Sequence, residues 1–314
     1  MIWKTSVWGL IALVLVSCQE EAQKKQQPLA STEYASTRYL MEAQQLKDQL
    51  REPHSFKLID FRKPEQFEKG HLAGALNVWR TDLADTSYRY GGMMPTKVQL
   101  EELLGRLGIS PSDTIIIYDD RAAANAARLW WILKYYGHEH MAILNGGLKA
   151  WLAQGGSLSS QLKETEETIY SFPNAPSKHI VAQLSTVEQS ITDPNVILLD
   201  NRSLQEFTGE MLKKGAAYAG AIPGAVHLDF ESAVDYSNKD LFHSAGSLGR
   251  IFRAVGVDGS KPVITYCQSG VRSAHTLFVL TQLLGYEQVS NYDGSWIEWS
   301  HLKQDTTLNA TAER

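Results

Sequence analysis

Hydrophobic positions fall along the chain in three regimes. From Val7 to Val16 they form one apolar run, with Lys4 the only charge before Glu20. About ten residues is short for a permanent bilayer helix and suits the apolar core of an export signal. Residues 19–36 lack hydrophobic periodicity and read as a polar tether. Beyond them, short apolar runs alternate with helical stretches. Ile115–Tyr118 (IIIY) and Val263–Tyr266 (VITY) have the continuous hydrophobicity of buried parallel strands. The helical stretch after each ends near Gly137 or Gly285, since glycine takes the left-handed conformation that closes a helix. A shorter strand follows, then a turn at Asn145-Gly146-Gly147 or Asp293-Gly294-Ser295.

That description applies twice because the chain repeats itself. Residues 114–151 align without a gap on residues 262–299 at an offset of 148. Identities include Ile116/Ile264, Tyr118/Tyr266, Gly137/Gly285, Gly146/Gly294 and Trp151/Trp299. Upstream, Leu58-Ile59-Asp60-Phe61-Arg62 matches Leu198-Leu199-Asp200-Asn201-Arg202 at an offset of 140, so the second copy holds an insertion between those points. The period is too long for a solenoid and reads as two homologous domains. Strand–helix–strand succession predicts an α/β class, doubly wound and with mainly parallel sheets. The expected division is an export signal (1–17), a tether (18–36), a first domain (37–153), a Gly-, Ser- and Pro-bearing linker (154–177), a second domain (178–304) and a tail (305–314).

Composition adds exclusions. The 314 residues are 43% hydrophobic, enough to fill two cores and to rule out wholesale disorder. The net charge of −5 offers no basic excess to neutralise a phosphate backbone, so no nucleic-acid partner is expected. Two cysteines cannot make a disulfide framework, and no His or Cys cluster has metal-ligand spacing, so no metal or other cofactor is expected.

Cys267 directly follows the VITY strand and opens the loop Cys267-Gln268-Ser269-Gly270-Val271-Arg272-Ser273. In doubly wound sheets ligands sit at the carboxyl ends of strands. A short loop there can aim successive N–H groups inward as an anion nest, and the helix end beyond adds positive potential. Both favour thiolate, the nucleophilic form. Arg272 is expected to add a fixed positive charge at the rim. The other reading is a small buried structural cysteine.

Strand, Cys and five-residue loop before a helix, in the second of two repeats, resemble the tandem-domain rhodanese family of sulfurtransferases. Supporting motifs are Leu199-Asp200-Asn201-Arg202, Gly220-Ala221-Ile222-Pro223-Gly224-Ala225, Asp293-Gly294-Ser295-Trp296, and Gly70-His71-Leu72-Ala73-Gly74-Ala75 in the first copy. The resemblance implies two rhodanese-like domains and a Cys267 persulfide. That persulfide would be charged by a small sulfur donor, thiosulfate or 3-mercaptopyruvate, and discharged to cyanide or a thiol. The amides from Gln268 to Arg272 would hold the anionic persulfide. Arg202 is expected either to bind the donor or to pair with Asp200 or Glu206. His71 and Asp60 are expected to contribute to the interdomain cleft, the alternative for His71 being that it holds its own turn. The first domain carries Asp119 in place of the Cys and is expected to be inactive.

This sequence departs from the family in places. Ala221 stands where a His is usual. Gln268 and Ser269 replace the basic pair of mitochondrial thiosulfate enzymes; Ser269 resembles the mercaptopyruvate type and Arg272 the bacterial thiosulfate type. An added cation helps a compact dianion most, so thiosulfate is favoured. Leu15-Val16-Ser17-Cys18 resembles a bacterial lipobox, implying lipidation of Cys18 and a lipid-anchored protein of the cell envelope. Gln19 after the Cys points to the periplasmic face of an outer membrane. Two other functions fit a reactive cysteine. One is a membrane-anchored persulfide carrier with little turnover. The other is a phosphatase or arsenate reductase, whose loop would need five residues between Cys and Arg where four stand here.

Overall fold

The computed structural model describes residues 33–52 and 56–303. The export signal, Cys18 and the tail expected at 305–314 lie outside the described residues, and no helix among these is long and apolar enough to cross a membrane.

The first domain runs β1 (Leu40–Met41), α1 (Ala43–Gln49), β2 (Lys57–Asp60), α2 (Pro64–Lys69), β3 (Ala75–Asn77), α3 (Lys97–Arg106), β4 (Ile115–Tyr118), α4 (Ala124–Tyr136), β5 (Met141–Leu144) and α5 (Gly147–Ala153). The second runs β6 (Val181–Ala182), α6 (Leu184–Ser190), β7 (Ile197–Asp200), α7 (Leu204–Phe207), β8 (Val226–His227), a hairpin of β9 (Val234–Asp235) and β10 (Leu241–Phe242), α8 (Ala245–Arg253), β11 (Val263–Tyr266), α9 (Val271–Phe278), β12 (Val289–Tyr292) and α10 (Ser295–Leu302). Each domain holds a five-stranded sheet, ordered β1-β5-β4-β2-β3 and β6-β12-β11-β7-β8, parallel throughout. The β9–β10 hairpin is antiparallel, as is the isolated bridge between His71 and Ser159. Two α/β domains with mainly parallel sheets are the predicted class.

β4 and β11 are the central strands, and all four residues of each are buried. Helices cover both faces, which is why IIIY and VITY show no polar alternation. α4 ends at Gly137 in the left-handed region (φ +92°), as predicted. α9 widens into a π turn over Val279–Leu283 before Gly285 closes it.

The helices that follow the two equivalent loops, α4 and α9, pack on each other across the domain boundary. Trp130 meets Phe278 edge-to-face at 4.9 Å, inside one apolar cluster that continues through both domains. Full burial of each such side chain contributes about 2 kcal/mol. The two loops are thereby held against a common seam. Residues 154–177 fold back over the first domain: His71 and Ser159 bridge, the Thr168 N–H donates to the Gly105 carbonyl, and the Ser177 N–H to that of Tyr135.

Candidate active site

Cys267 is the first residue past β11, and its loop is fastened to the start of α10. The N–H groups of Cys267 and Gly270 both donate to Ser295 Oγ, at 3.2 and 3.0 Å, and that hydroxyl donates to the Tyr292 carbonyl at 2.7 Å. The N–H groups of Trp296 and Ile297 donate to the carbonyls of Cys267 and Gln268. Gly270 caps α9 at φ +72°, where a Cβ would sit 2.8 Å from the Asp293 carbonyl oxygen; glycine is required there.

The thiol is 1% exposed. Burial pushes its pKa up, but the charge of Arg272, the Ser273 hydroxyl and the N–H groups of Ser273 and Ser269 outweigh it, leaving the thiol below its ordinary value. The nest is narrower than expected, because the Gly270 N–H is spent on Ser295.

Arg272 is not a free cation at the rim. It is 8% exposed and bidentate with Glu206, at 2.6 and 2.8 Å. Glu206 is 3% exposed. Burial pushes its carboxyl up, but hydrogen bonds and charge from Arg272, with Lys213 behind, pull it down to about 2. Glu206 also closes the capping box of α7 with Ser203. Sequence reading placed Glu206 only as a conceivable mate for Arg202; its true partner lies 66 residues away.

Three expected site residues belong to the scaffold instead. Arg202 is buried, forks onto the Asp200 carboxylate and donates to the Gly220 carbonyl at 2.7 Å. Its guanidinium lies over Trp296 and Tyr266, and its side chain is almost wholly withdrawn from solvent. Asp60 is fully buried, paired with Arg62 and accepting from Tyr118 Oη at 2.6 Å. His71 is fully buried and stacked on Phe67, with ring nitrogens at 2.9 Å from the Phe67 carbonyl and 3.1 Å from that of Gln161. It holds its turn and the returning linker, not a cleft. Gln268 is buried too, its amide reaching the Lys214 carbonyl.

Ser269 and Val271 do face a cavity. It lies between the domains, holds about 260 Å³, and is walled on the first-domain side by Phe61, Arg80, Leu83 and Arg128. Arg128 reaches across the boundary to Asp293 and to the Gly270 carbonyl. Gly92, on a strap of the first domain, lines the same cavity, and a Cβ added there would stand 2.7 Å from the Ser269 Cβ. Sequence reading missed Arg80, Arg128 and Ser295 as parts of this site; only the Asp293-Gly294-Ser295 motif pointed toward one of them.

In the first domain the equivalent nest is filled permanently. The Asp119 carboxylate accepts from the N–H groups of Arg121, Ala123, Asn125 and Ala126, at 2.7–3.0 Å. Burial pushes Asp119 up, and those four donors oppose it. Ala122 and Ala123 adopt left-handed conformations (φ +50° and +66°) to form the loop. Among the described residues no group of three or more His, Cys, Asp or Glu could hold a metal ion.

The sequence pattern of the rhodanese-like domain matches residues 42–154 and again 183–302. A Haloferax volcanii protein with the provisional name thiosulfate sulfurtransferase is 36% identical over 76% of this chain and 83% of its own. The sulfur carrier protein TtuD of Thermus thermophilus is 32% identical over 75% of this chain and 84% of its own. Among solved structures, the anaerobic ergothioneine biosynthesis enzyme of Chlorobium limicola, in complex with trimethyl histidine, superposes with a TM-score of 0.75 at 23% identity, over 85% of this chain and 69% of that one. At that identity the likeness is one of fold.

Proposed function

We propose that this chain, which belongs to the rhodanese-like domain family and carries that domain twice, is a sulfurtransferase that passes a sulfane sulfur through a persulfide on Cys267. The observation that carries the reading is the thiol itself. It stands at the carboxyl end of a central parallel strand, ringed by N–H donors and Arg272, with its pKa lowered despite complete burial. A resting structural cysteine has no use for that environment. The relatives named for thiosulfate sulfur transfer support the same reading.

In the proposed cycle the Cys267 thiolate attacks the outer sulfur of thiosulfate. The new S–S bond forms as the old one breaks, and its electron pair leaves with sulfite, giving enzyme persulfide. An acceptor thiolate or cyanide then attacks the outer persulfide sulfur and returns the Cys267 thiolate. Charge and sulfur balance in both half-reactions, and ping-pong kinetics follow. 3-Mercaptopyruvate is the alternative donor. Lipid attachment at Cys18 belongs to the same proposal and would hold the enzyme at the cell envelope.

The test is mass spectrometry of the whole protein after exposure to thiosulfate or to 3-mercaptopyruvate. One extra sulfur on the Cys267 peptide, absent in Cys267→Ser, is the expected result. No added mass with either donor overturns the reading. The Thermus relative named as a sulfur carrier supports a second reading, in which the persulfide is held for a protein acceptor. Multiple turnovers with small acceptors exclude that one.

A further inference from the structure

Four arginines buried around the two loops each face a carboxylate: Arg62 with Asp60, Arg128 with Asp293, Arg202 with Asp200 and Arg272 with Glu206. Arg80 does not. It is half-buried in the wall of the interdomain cavity, opposite Ser269 and Val271. Its Nε and Nη2 both donate to the neutral Asn125 amide oxygen, at 3.0 and 2.6 Å. Among the described residues no carboxylate stands within ion-pair distance of it. Burial and the like charge of Arg121 bring its pKa down to about 10, and Cys267 is the foremost of the groups acting the other way. A guanidinium drawn out of water without a counter-ion is costly, and a fold keeps one where an anion is to be received. Nη1 and one hydrogen of Nη2 remain to receive it.

We propose that Arg80, contributed by the inactive first domain, binds the oxyanion end of the sulfur donor while the donor's outer sulfur meets Cys267. The inference rests on the sulfurtransferase reading and adds what that reading lacks, a cation with no carboxylate partner on the wall of the cavity that Ser269 of the Cys267 loop also lines. Arg272 differs from Arg80 in that its charge is already matched by Glu206, which it holds through both terminal nitrogens. Exposed Arg121 and Lys213 stand close enough for their charges to act on one another and on this cluster, and they would draw a dianion toward the mouth. As the S–S bond of thiosulfate breaks, its electron pair moves onto the sulfonate group that becomes sulfite. Negative charge thus grows on the end that Arg80 holds, and a bidentate guanidinium suits those oxygens. The same geometry gives the first domain, which carries Asp119 in place of a thiol, a part in the substrate site.

The experiment uses the whole protein, with Arg80→Ala and Arg80→Lys. Single-turnover persulfide formation is followed against thiosulfate concentration, and alkylation of Cys267 by neutral iodoacetamide is followed beside it. Arg80→Ala is expected to raise the half-saturating thiosulfate concentration about 10- to 100-fold, the range of one charge-assisted hydrogen-bonded contact, with alkylation within about two-fold of wild type. Arg80→Lys should recover part of the loss. Unchanged half-saturation in Arg80→Ala overturns the proposal, and so does an equal loss in alkylation, which would mark a structural or thiol-tuning role. Calorimetric titration of thiosulfate into Cys267→Ala, with and without Arg80→Ala, reads anion binding apart from transfer. Wild type that takes no sulfur sinks the sulfurtransferase reading alone if Cys267→Ala still binds thiosulfate through Arg80, and sinks both if it does not.

Discussion

Asp119 occupies in the first domain the place that Cys267 occupies in the second, each the residue after the central strand that ends in Tyr118 or Tyr266. The carboxylate carbon of Asp119 lies as far along the side chain as the sulfur of Cys267, so its oxygens lie where the outer sulfur of a Cys267 persulfide would. They accept four N–H groups, whose counterparts at the 148-residue offset are Ser269, Val271, Ser273 and Ala274. The first domain therefore holds a fixed carboxylate image of the charged state proposed for the second.

Asp119→Ala would leave those four buried donors without an acceptor. A loss of about 2–4 kcal/mol is expected, because each unsatisfied N–H costs more than the hydrogen bond it made. Urea denaturation of the whole protein measures it. Asp119→Cys should refold part of the nest yet stay inert to iodoacetamide at neutral pH, since Ala124 stands where Arg272 stands in the second copy. Rapid alkylation of that new thiol would show that the loop alone, without its arginine, activates a cysteine.

Arg272 governs the titration of Cys267. Burial raises the thiol and the arginine's charge is the foremost of the effects that bring it back below 9.0. Arg272→Gln removes the cation and leaves Glu206 as an added negative neighbour, so both changes push the thiol upward. Thiolate forms as pH rises through the pKa; the alkylation profile should therefore move to higher pH. The rate at neutral pH should fall, and Arg272→Lys should lie between. A profile that does not move would assign thiolate formation to the loop amides alone.

How far the sequence reveals this molecule depends on the range of each interaction. The strands at 115–118 and 263–266, the glycine that ends α4 and the cysteine's place at a strand end follow from contiguous pattern, and the structure has them there. Of the two readings open for Arg202, donor binding or a pair with Asp200 or Glu206, the structure shows the pair with Asp200, and a local signal favours it. Asp60 and Arg62 repeat the Asp200–Arg202 spacing in a copy with Asp119 in place of Cys267, which points to the pair as scaffold; in both copies the arginine forks onto the carboxylate two residues before it. Glu206 and Arg80 were out of reach for another reason. Each meets the site through tertiary packing, one from α7 and one from the other domain, and no period or spacing encodes that.

The Glu206–Arg272 pair should make stability depend on acid. The folded Glu206 carboxyl sits at about 2 against an ordinary 4.5. Because the folded value is the lower one, the stabilisation is present above pH 4.5 and is lost as pH falls toward 2. A shift of that size corresponds to about 3 kcal/mol at neutral pH. Urea denaturation of wild type and Glu206→Gln across that range should give a gap that is widest above pH 5 and closes toward pH 2. A gap independent of pH would mean that packing, not charge, accounts for the cost of the substitution.

A Cβ on Gly92 would stand 2.7 Å from the Cβ of Ser269, and Gly92 itself sits at φ +99°. Gly92→Ala therefore carries two penalties, backbone strain at its own residue and a clash with the loop that holds Cys267. Together they should cost about 1–3 kcal/mol and slow persulfide formation, since Ser269 can yield only by moving the N–H that faces the sulfur. Ser269→Gly removes the clash and leaves the strain. In the double variant part of the stability and most of the lost rate should return, with a coupling energy of about 1 kcal/mol in the double-mutant cycle. Strict additivity in both measurements would show that the strap does not bear on the loop, and that access to Cys267 is controlled from the second domain alone.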